Sequence, residues 1–209
     1  MSTYLSARRM ANAQAVSGSL KLIVPASPPT EPVTLATAKA HCRVEASVTD
    51  EDALIQSYVT AARTWIEEFM HRAIVSSTFD YAIDAVPSGD APLLLPRAPL
   101  VSVTSVTSYD TSNTATVLSN TTYFVDTTSE PGRIVLNSGV IWPTSLRSEN
   151  ALVVRYVAGY ASVPDAIKHA LLLLVGHFYQ NREQAVKDAL SSIPMGVEAL
   201  LGPYRLVRA

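Results

Sequence analysis

The chain has 209 residues, 48% of them apolar and 16% charged, with a formal net charge of -2. That balance supports a buried core and excludes global disorder, and the near-neutral charge excludes a strongly basic nucleic-acid binder. A single cysteine, Cys42, excludes an internal disulfide framework and fits a reducing compartment such as a bacterial cytoplasm.

Residues 1–31 have no clear period and run into Pro25-Ala-Ser-Pro28-Pro29, so they read as a flexible arm. Arg8 and Arg9 are followed by a mixed polar stretch, too polar for the apolar region of a signal peptide. The longest greasy run, Ala170 to Val175, is far short of the ~20 residues that span a bilayer. The expectation is a soluble protein with no membrane partner.

At Thr34 the pattern changes. Thr34 is a good N-cap, and Leu35, Ala38 and Cys42 recur at helical spacing, predicting a short helix that ends near Arg43–Val44. A second helix starts at Thr49, with Asp50, Glu51 and Asp52 near the positive end of its dipole. Leu54, Ile55, Tyr58, Val59, Ala62, Trp65, Ile66 and Phe69 form its apolar stripe, along a rod of roughly 33 Å.

From about Val75 the period becomes two. Phe79, Tyr81 and Ile83 alternate with polar residues, and further strands are predicted at Pro92–Leu95, Val101–Tyr109, Thr114–Leu118, Tyr123–Asp126, Arg133–Leu136 and Leu152–Val157. Turn clusters such as Pro87-Ser-Gly89-Asp90 and Asp110-Thr-Ser-Asn113 separate them. Helical spacing then returns. Pro164 and Asp165 suit a first turn, and Ile167, Ala170, Leu171, Leu174, Val175, Phe178 and Tyr179 follow at intervals of three and four. The chain closes with a short apolar stretch, Val197–Leu201, and a tail from Gly202.

Helices, then strands, then helices predict an α+β fold: an antiparallel helical bundle core interrupted by a small antiparallel β-sheet or sandwich, with extended N- and C-terminal arms. In domains, residues 1–31 form the arm, 32–74 and 163–201 the helical core, 75–162 the β-rich insertion and 202–209 a docking tail. Leu54, Tyr58, Trp65 and Phe69 are expected to pack against Ile167, Leu171, Leu174 and Phe178, because neither stripe can bury itself alone.

Residues that could carry chemistry are sparse. No HExxH, zinc-ligand spacing, Gly-x-Ser-x-Gly, P-loop or dinucleotide glycine pattern occurs, so no catalytic residue, metal or cofactor is assigned. His169 and His177 lie eight residues apart on one helix, about 12 Å by helical rise, too far to share a metal. Glu67–Glu68 and Asp50–Asp52 read as solvated helix surface and dipole partners. Pro203, Tyr204, Arg205, Leu206, Val207 and Arg208 differ, because an aromatic, two aliphatics and two arginines in so short a tail suit insertion into a partner.

Several stretches together resemble one family. Pro32-Val-Thr-Leu-Ala-Thr-Ala-Lys-Ala-His-Cys-Arg-Val-Glu45 and Asp50-Glu-Asp-Ala-Leu-Ile-Gln-Ser-Tyr-Val-Thr-Ala-Ala-Arg-Thr-Trp-Ile-Glu67 are similar to the opening of phage head–tail connector (adaptor, or head completion) proteins. So are Leu95-Pro-Arg-Ala-Pro-Leu-Val-Ser-Val-Thr-Ser-Val106, Val157-Ala-Gly-Tyr160, the run Val163 to Glu183, and Pro194 to Arg205. The likeness spans residues 32–208 in order. Thr37 stands where the family often has Glu, which weakens the first helix's capping box, and Cys42 replaces a more usual Leu.

The resemblance implies a structural virion protein forming a ring of twelve copies under the capsid portal, and not an enzyme. Such a ring joins portal to tail, extends the DNA channel without specific DNA binding, and meets the next tail or stopper protein. The C-terminal segment would contact the portal protein, and the subunit would be made in a bacterial host cytoplasm and end at the head–tail interface of a phage or gene transfer agent. A stopper-side protein binding tail-tube subunits is the nearest alternative, and an uncharacterised hydrolase a remote one.

Overall fold

The computed structural model describes residues 18–23, 30–89, 91–182 and 195–206. Among them, eight strands form two antiparallel sheets, accompanied by four helices and one 3-10 turn. The chain divides into two compact units, a β unit of Ser76–Gly159 with the strand at 18–23, and a helical unit of residues 30–75 and 160–206.

The helical unit holds α1 (Leu35–His41), α2 (Asp52–Met70), α3 (Asp165–Gln180) and α4 (Met195–Leu201). Thr34 caps α1 as its composition predicts: the Thr37 backbone N–H donates to the Thr34 hydroxyl at 3.2 Å, and the two threonine hydroxyls bond at 2.9 Å. The Thr37 side chain thus supports the cap where a glutamate would otherwise reach back. Along α2, Ile55, Val59, Ala62, Ile66 and Met70 are fully buried, each three or four residues from the next. They meet Ile167, Ala170, Leu171, Leu174 and Val175 of α3, with Val197 and Leu201 of α4 closing the same core.

Ile167, Leu171 and Leu174 lie in this core, while Tyr58, Trp65, Phe69 and Phe178 are half-buried against it. Leu54 does not pack there. It is 36% exposed, because the buried line passes through Ile55 and its neighbour in sequence sits about 100° round the helix.

The β unit contains β1 (Gly18–Ile23), β2 (Ser77–Ile83), β3 (Leu93–Leu94), β4 (Leu100–Tyr109), β5 (Ala115–Val117), β6 (Tyr123–Asp126), β7 (Arg133–Leu136) and β8 (Leu152–Ala158). One sheet runs β1-β2-β8-β4-β5 and the other β3-β7-β6. In the larger, the period-two alternation puts Phe79, Tyr81, Ile83, Leu152, Val154, Tyr156 and Val106 on a buried face. The other face carries Asp80 opposite Arg155. Tyr156, fully buried, donates its hydroxyl to the Pro96 carbonyl at 2.6 Å, and burial pushes its phenol well above the usual range.

These findings overturn the expected helical bundle core with a small β insertion. Two of the four helices have only seven residues, and the fold is a sheet-rich α+β arrangement. Strong 3-4 stripes drew the sequence reading toward helices, whereas the Thr- and Ser-rich strands, exposed on one face, left a weaker signal. Part of the arm read as structureless is β1, paired with β2 from Gly18–Ile83 to Ile23–Thr78. Its residues are all at least partly exposed, so backbone pairing rather than apolar pattern makes the strand.

Candidate assembly surfaces

The proposed contact segment begins at the 3-10 turn Gly202–Tyr204, directly after α4. Two hydrogen bonds and a cation–π contact tie it to the end of α2 and the residues just after it. Arg72 donates its Nε–H to the Tyr204 carbonyl, and the Leu206 N–H donates to the Met70 carbonyl at 3.0 Å. The Arg205 guanidinium lies 5.1 Å from the centre of the Phe69 ring, which stacks on Trp65. Pro203 and Arg205 are exposed and Tyr204 and Leu206 half-buried, so the segment lies along the helical unit with its polar side outward. Val207 and Arg208 fall outside the described residues.

Local geometry at the end of α2 makes that seat. His71 caps the helix in the left-handed region (φ 56°), and the Arg72 N–H returns to the Glu67 carbonyl. The Glu67 carboxylate accepts from the Ile74 N–H at 2.8 Å and from Arg63 at 2.9 Å, and Arg63 also donates to Glu31. Glu67 is therefore a structural knot, not the solvated surface carboxylate its position beside Glu68 implied.

Two further knots fix the helical unit. Lys39, 5% exposed, donates to the carbonyls of Ala46 and Val48 and to the Asp52 carboxylate. Glu51, before α2, accepts from the Tyr179 hydroxyl and from Arg182 at 2.6 Å each, which links the start of α2 to the end of α3. The Tyr179 hydrogen bond, then that of Arg182, holds the Glu51 carboxyl below its ordinary value, and the same bond to Glu51 pushes the Tyr179 phenol up. Sequence reasoning passed over Lys39 and Arg72. The available signal was a lysine four residues after Leu35 in a short apolar helix.

On the β unit, the outer face of the larger sheet carries Asp80 and Arg155 in a bidentate pair at 2.7 and 2.8 Å. The Arg155 bonds hold the Asp80 carboxyl low, with a smaller contribution from Lys21. Val117 on β5 and Phe124 on β6 are more than half exposed, and both strands are edges of their sheets. A cleft of about 550 Å³ opens between Asp84–Pro87 and the segment around Ile141, Trp142 and Pro143. Trp142 is 5% exposed, and its indole N–H has no acceptor among the described residues. Ile141 beside it is 78% exposed.

His169 is exposed and His177 half-buried, and Cys42 is half-buried with its thiol pushed up by burial. Among the described residues no three His, Cys, Asp or Glu side chains cluster as metal ligands, and no helix is long and apolar enough to cross a membrane.

A family model described as head completion protein matches residues 33–207. No curated protein matches the chain. Among solved structures it is similar to a chain in the neck of an empty gene transfer agent (GTA) particle with C6 symmetry, at 25% identity and TM-score 0.75, covering 91% of this chain and 97% of that one. A chain in the virion of the native gene transfer agent particle matches at 25% identity and TM-score 0.74, over 91% and 96% of the two chains. One in the neck of the native particle with C12 symmetry matches in fold at 24% identity and TM-score 0.68, over 90% and 97%.

Proposed function

The chain belongs to the head completion protein family, and from that premise we propose that twelve copies close a ring beneath the capsid portal. It is a structural protein of the virion neck, where head meets tail. The observation that carries the reading is the agreement between a family match over 33–207 and the fold of gene-transfer-agent neck chains over nine-tenths of the sequence.

A ring needs heterologous contacts, in which one face of each subunit meets a different face of the next. The helical unit, held by the Lys39, Glu67 and Glu51 knots, serves as the rigid wedge, and the β unit offers edges and an outer face to a neighbour or to the next tail component. Pro203, Tyr204, Arg205, Leu206, Val207 and Arg208 are the portal contact. The tethers on Tyr204 and Leu206 support this role, because an anchored segment loses less entropy on docking than a free one. The protein works by assembly rather than catalysis, with no cofactor, and DNA passes the bore without specific binding.

The test is reconstitution with the cognate purified portal, read by electron microscopy and pull-down. Full-length protein is expected to decorate portal rings with twelvefold symmetry. A chain ending at Gly202 loses all six contact residues and is expected to stay folded but lose the portal. Saturation of portal rings by that truncated chain would refute the assigned contact. Binding to tail-tube protein instead of portal would favour the stopper-side role.

A further inference from the structure

α2 carries more apolar surface than the core uses. Ile55, Val59, Ala62 and Ile66 point into the core and are fully buried. One residue earlier at every step runs a second line, Leu54, Tyr58, Ala61 and Trp65, spaced by four, three and four. That offset turns the second line about 100° round the helix, so a helix seated on the first leaves the second open. Spacing of this kind is that of a seam that takes a packing partner. Leu54 and Ala61 are exposed, and Tyr58 and Trp65 are half-buried. Tyr58 touches Phe178 and Trp65 stacks on Phe69, which holds both rings in place at the margin of the seam.

The surroundings of the seam tolerate loss of water. No charged residue occurs from Ala53 to Ala62, whereas the outward face of a solvated helix ordinarily carries several. The Ser57 hydroxyl donates to the Leu54 carbonyl at 2.7 Å, and that of Thr64 to the Thr60 carbonyl at 2.9 Å. Covering these groups therefore strands no donor. An uncharged strip with aromatic margins has the make-up of an interface centre, and it offers nothing to DNA phosphates.

The position of the seam points to its occupant. From Leu54 to Trp65 it runs about 16 Å along α2, while the portal segment is tethered at and beyond the end of the helix, at Met70 and Arg72. A ring subunit needs two flanks for its neighbours besides the surface it gives to the portal. We propose that this seam is one of those flanks, covered in the ring by a different face of a neighbouring copy of the chain. Leu54 and Ala61 form its centre, and Tyr58 and Trp65 are its anchors. The assignment rests on the ring proposed above.

The test uses the full chain with its cognate portal. Leu54→Glu combined with Ala61→Glu places charge in the seam at exposed positions, so the urea midpoint is expected to hold and immobilised portal still to capture the variant. Closed rings seen by electron microscopy are expected to fall about tenfold at a concentration where wild type fills every portal. Cys42→Ala combined with Ser57→Cys leaves one thiol, on the seam, and its labelling by a maleimide is expected to slow about tenfold between the dilute subunit and the portal-bound ring. Rings formed equally by the glutamate variant, or labelling that does not slow, overturn the seam and leave the ring reading intact. Labelling already slow in the dilute subunit also overturns it, because the chain then covers its own seam. Loss of portal capture by a folded variant overturns it as well, and assigns the seam to the portal. Wild type that forms no ring overturns the ring reading and this inference together.

Discussion

Lys39 holds its ammonium in a nearly closed site where the carbonyls of Ala46 and Val48 and the carboxylate of Asp52 converge. Lys39→Met keeps the length of the side chain but strands all three acceptors, so it is expected to cost about 2–4 kcal/mol in urea unfolding. Asp52→Asn, which leaves the ammonium two carbonyl partners, is expected to cost less. Asp126 gives a pH-dependent counterpart. Hydrogen bonds from Thr128 and Ser129, with Arg133 at 2.9 Å, hold its carboxyl far below the ordinary range. A carboxyl with a depressed folded-state pKa stabilises the fold at pH above its unfolded value, about 3.9, and that contribution is lost as pH falls toward the folded value. The stability gap between wild type and Asp126→Asn is thus expected to be full at pH 7 and to shrink steadily below about pH 4. A gap independent of pH would show that the charge is not what the turn uses.

For the helices, the contrast between Leu54 and Leu171 separates a legible stripe from an actual core. Leu171→Ala opens a cavity in a fully buried site and is expected to lower stability by about 2–5 kcal/mol, whereas Leu54→Ala should stay within about 1 kcal/mol in the same denaturant titration. Periodicity showed which segments are helical and placed Tyr123–Asp126 and Arg133–Leu136 to the residue. It did not decide between Leu54 and Ile55, because an apolar pair on adjacent positions fits either side of a stripe, and only the partner helix chooses. β1 was hidden for a related reason: every side chain on it is at least partly exposed, and its pairing with β2 lies in backbone hydrogen bonds that leave no pattern in the residues. The knots at Lys39, Glu67 and Arg72 and the cleft at Trp142 were equally hidden, since each joins positions whose meeting is set by the fold. The tether of Tyr204 and Leu206 to the end of α2 was hidden in the same way.

Across the whole chain, the β unit leaves and rejoins the helical unit through β2 and β8, which are neighbours in one sheet. Ser77 pairs with Ala158, and just beyond them the Tyr160 N–H donates to the Ile74 carbonyl at 3.3 Å. Helical segments far apart in sequence are thereby brought back to one point. A chain in which residues 76–159 are replaced by a short Gly–Ser linker is expected to fold as a helical unit, with a cooperative melt in far-UV circular dichroism and Trp65 emission resembling that of full-length Trp142→Phe. A broad, non-cooperative melt would mean that the helices depend on the sheets for their order.

That shared doorway has an evolutionary corollary. Because both strand ends sit side by side, loops at the distal end of the sheets can be lengthened, trimmed or recoded without altering the span the helices must bridge. Relatives can therefore vary those loops alone while the helical core stays as it was.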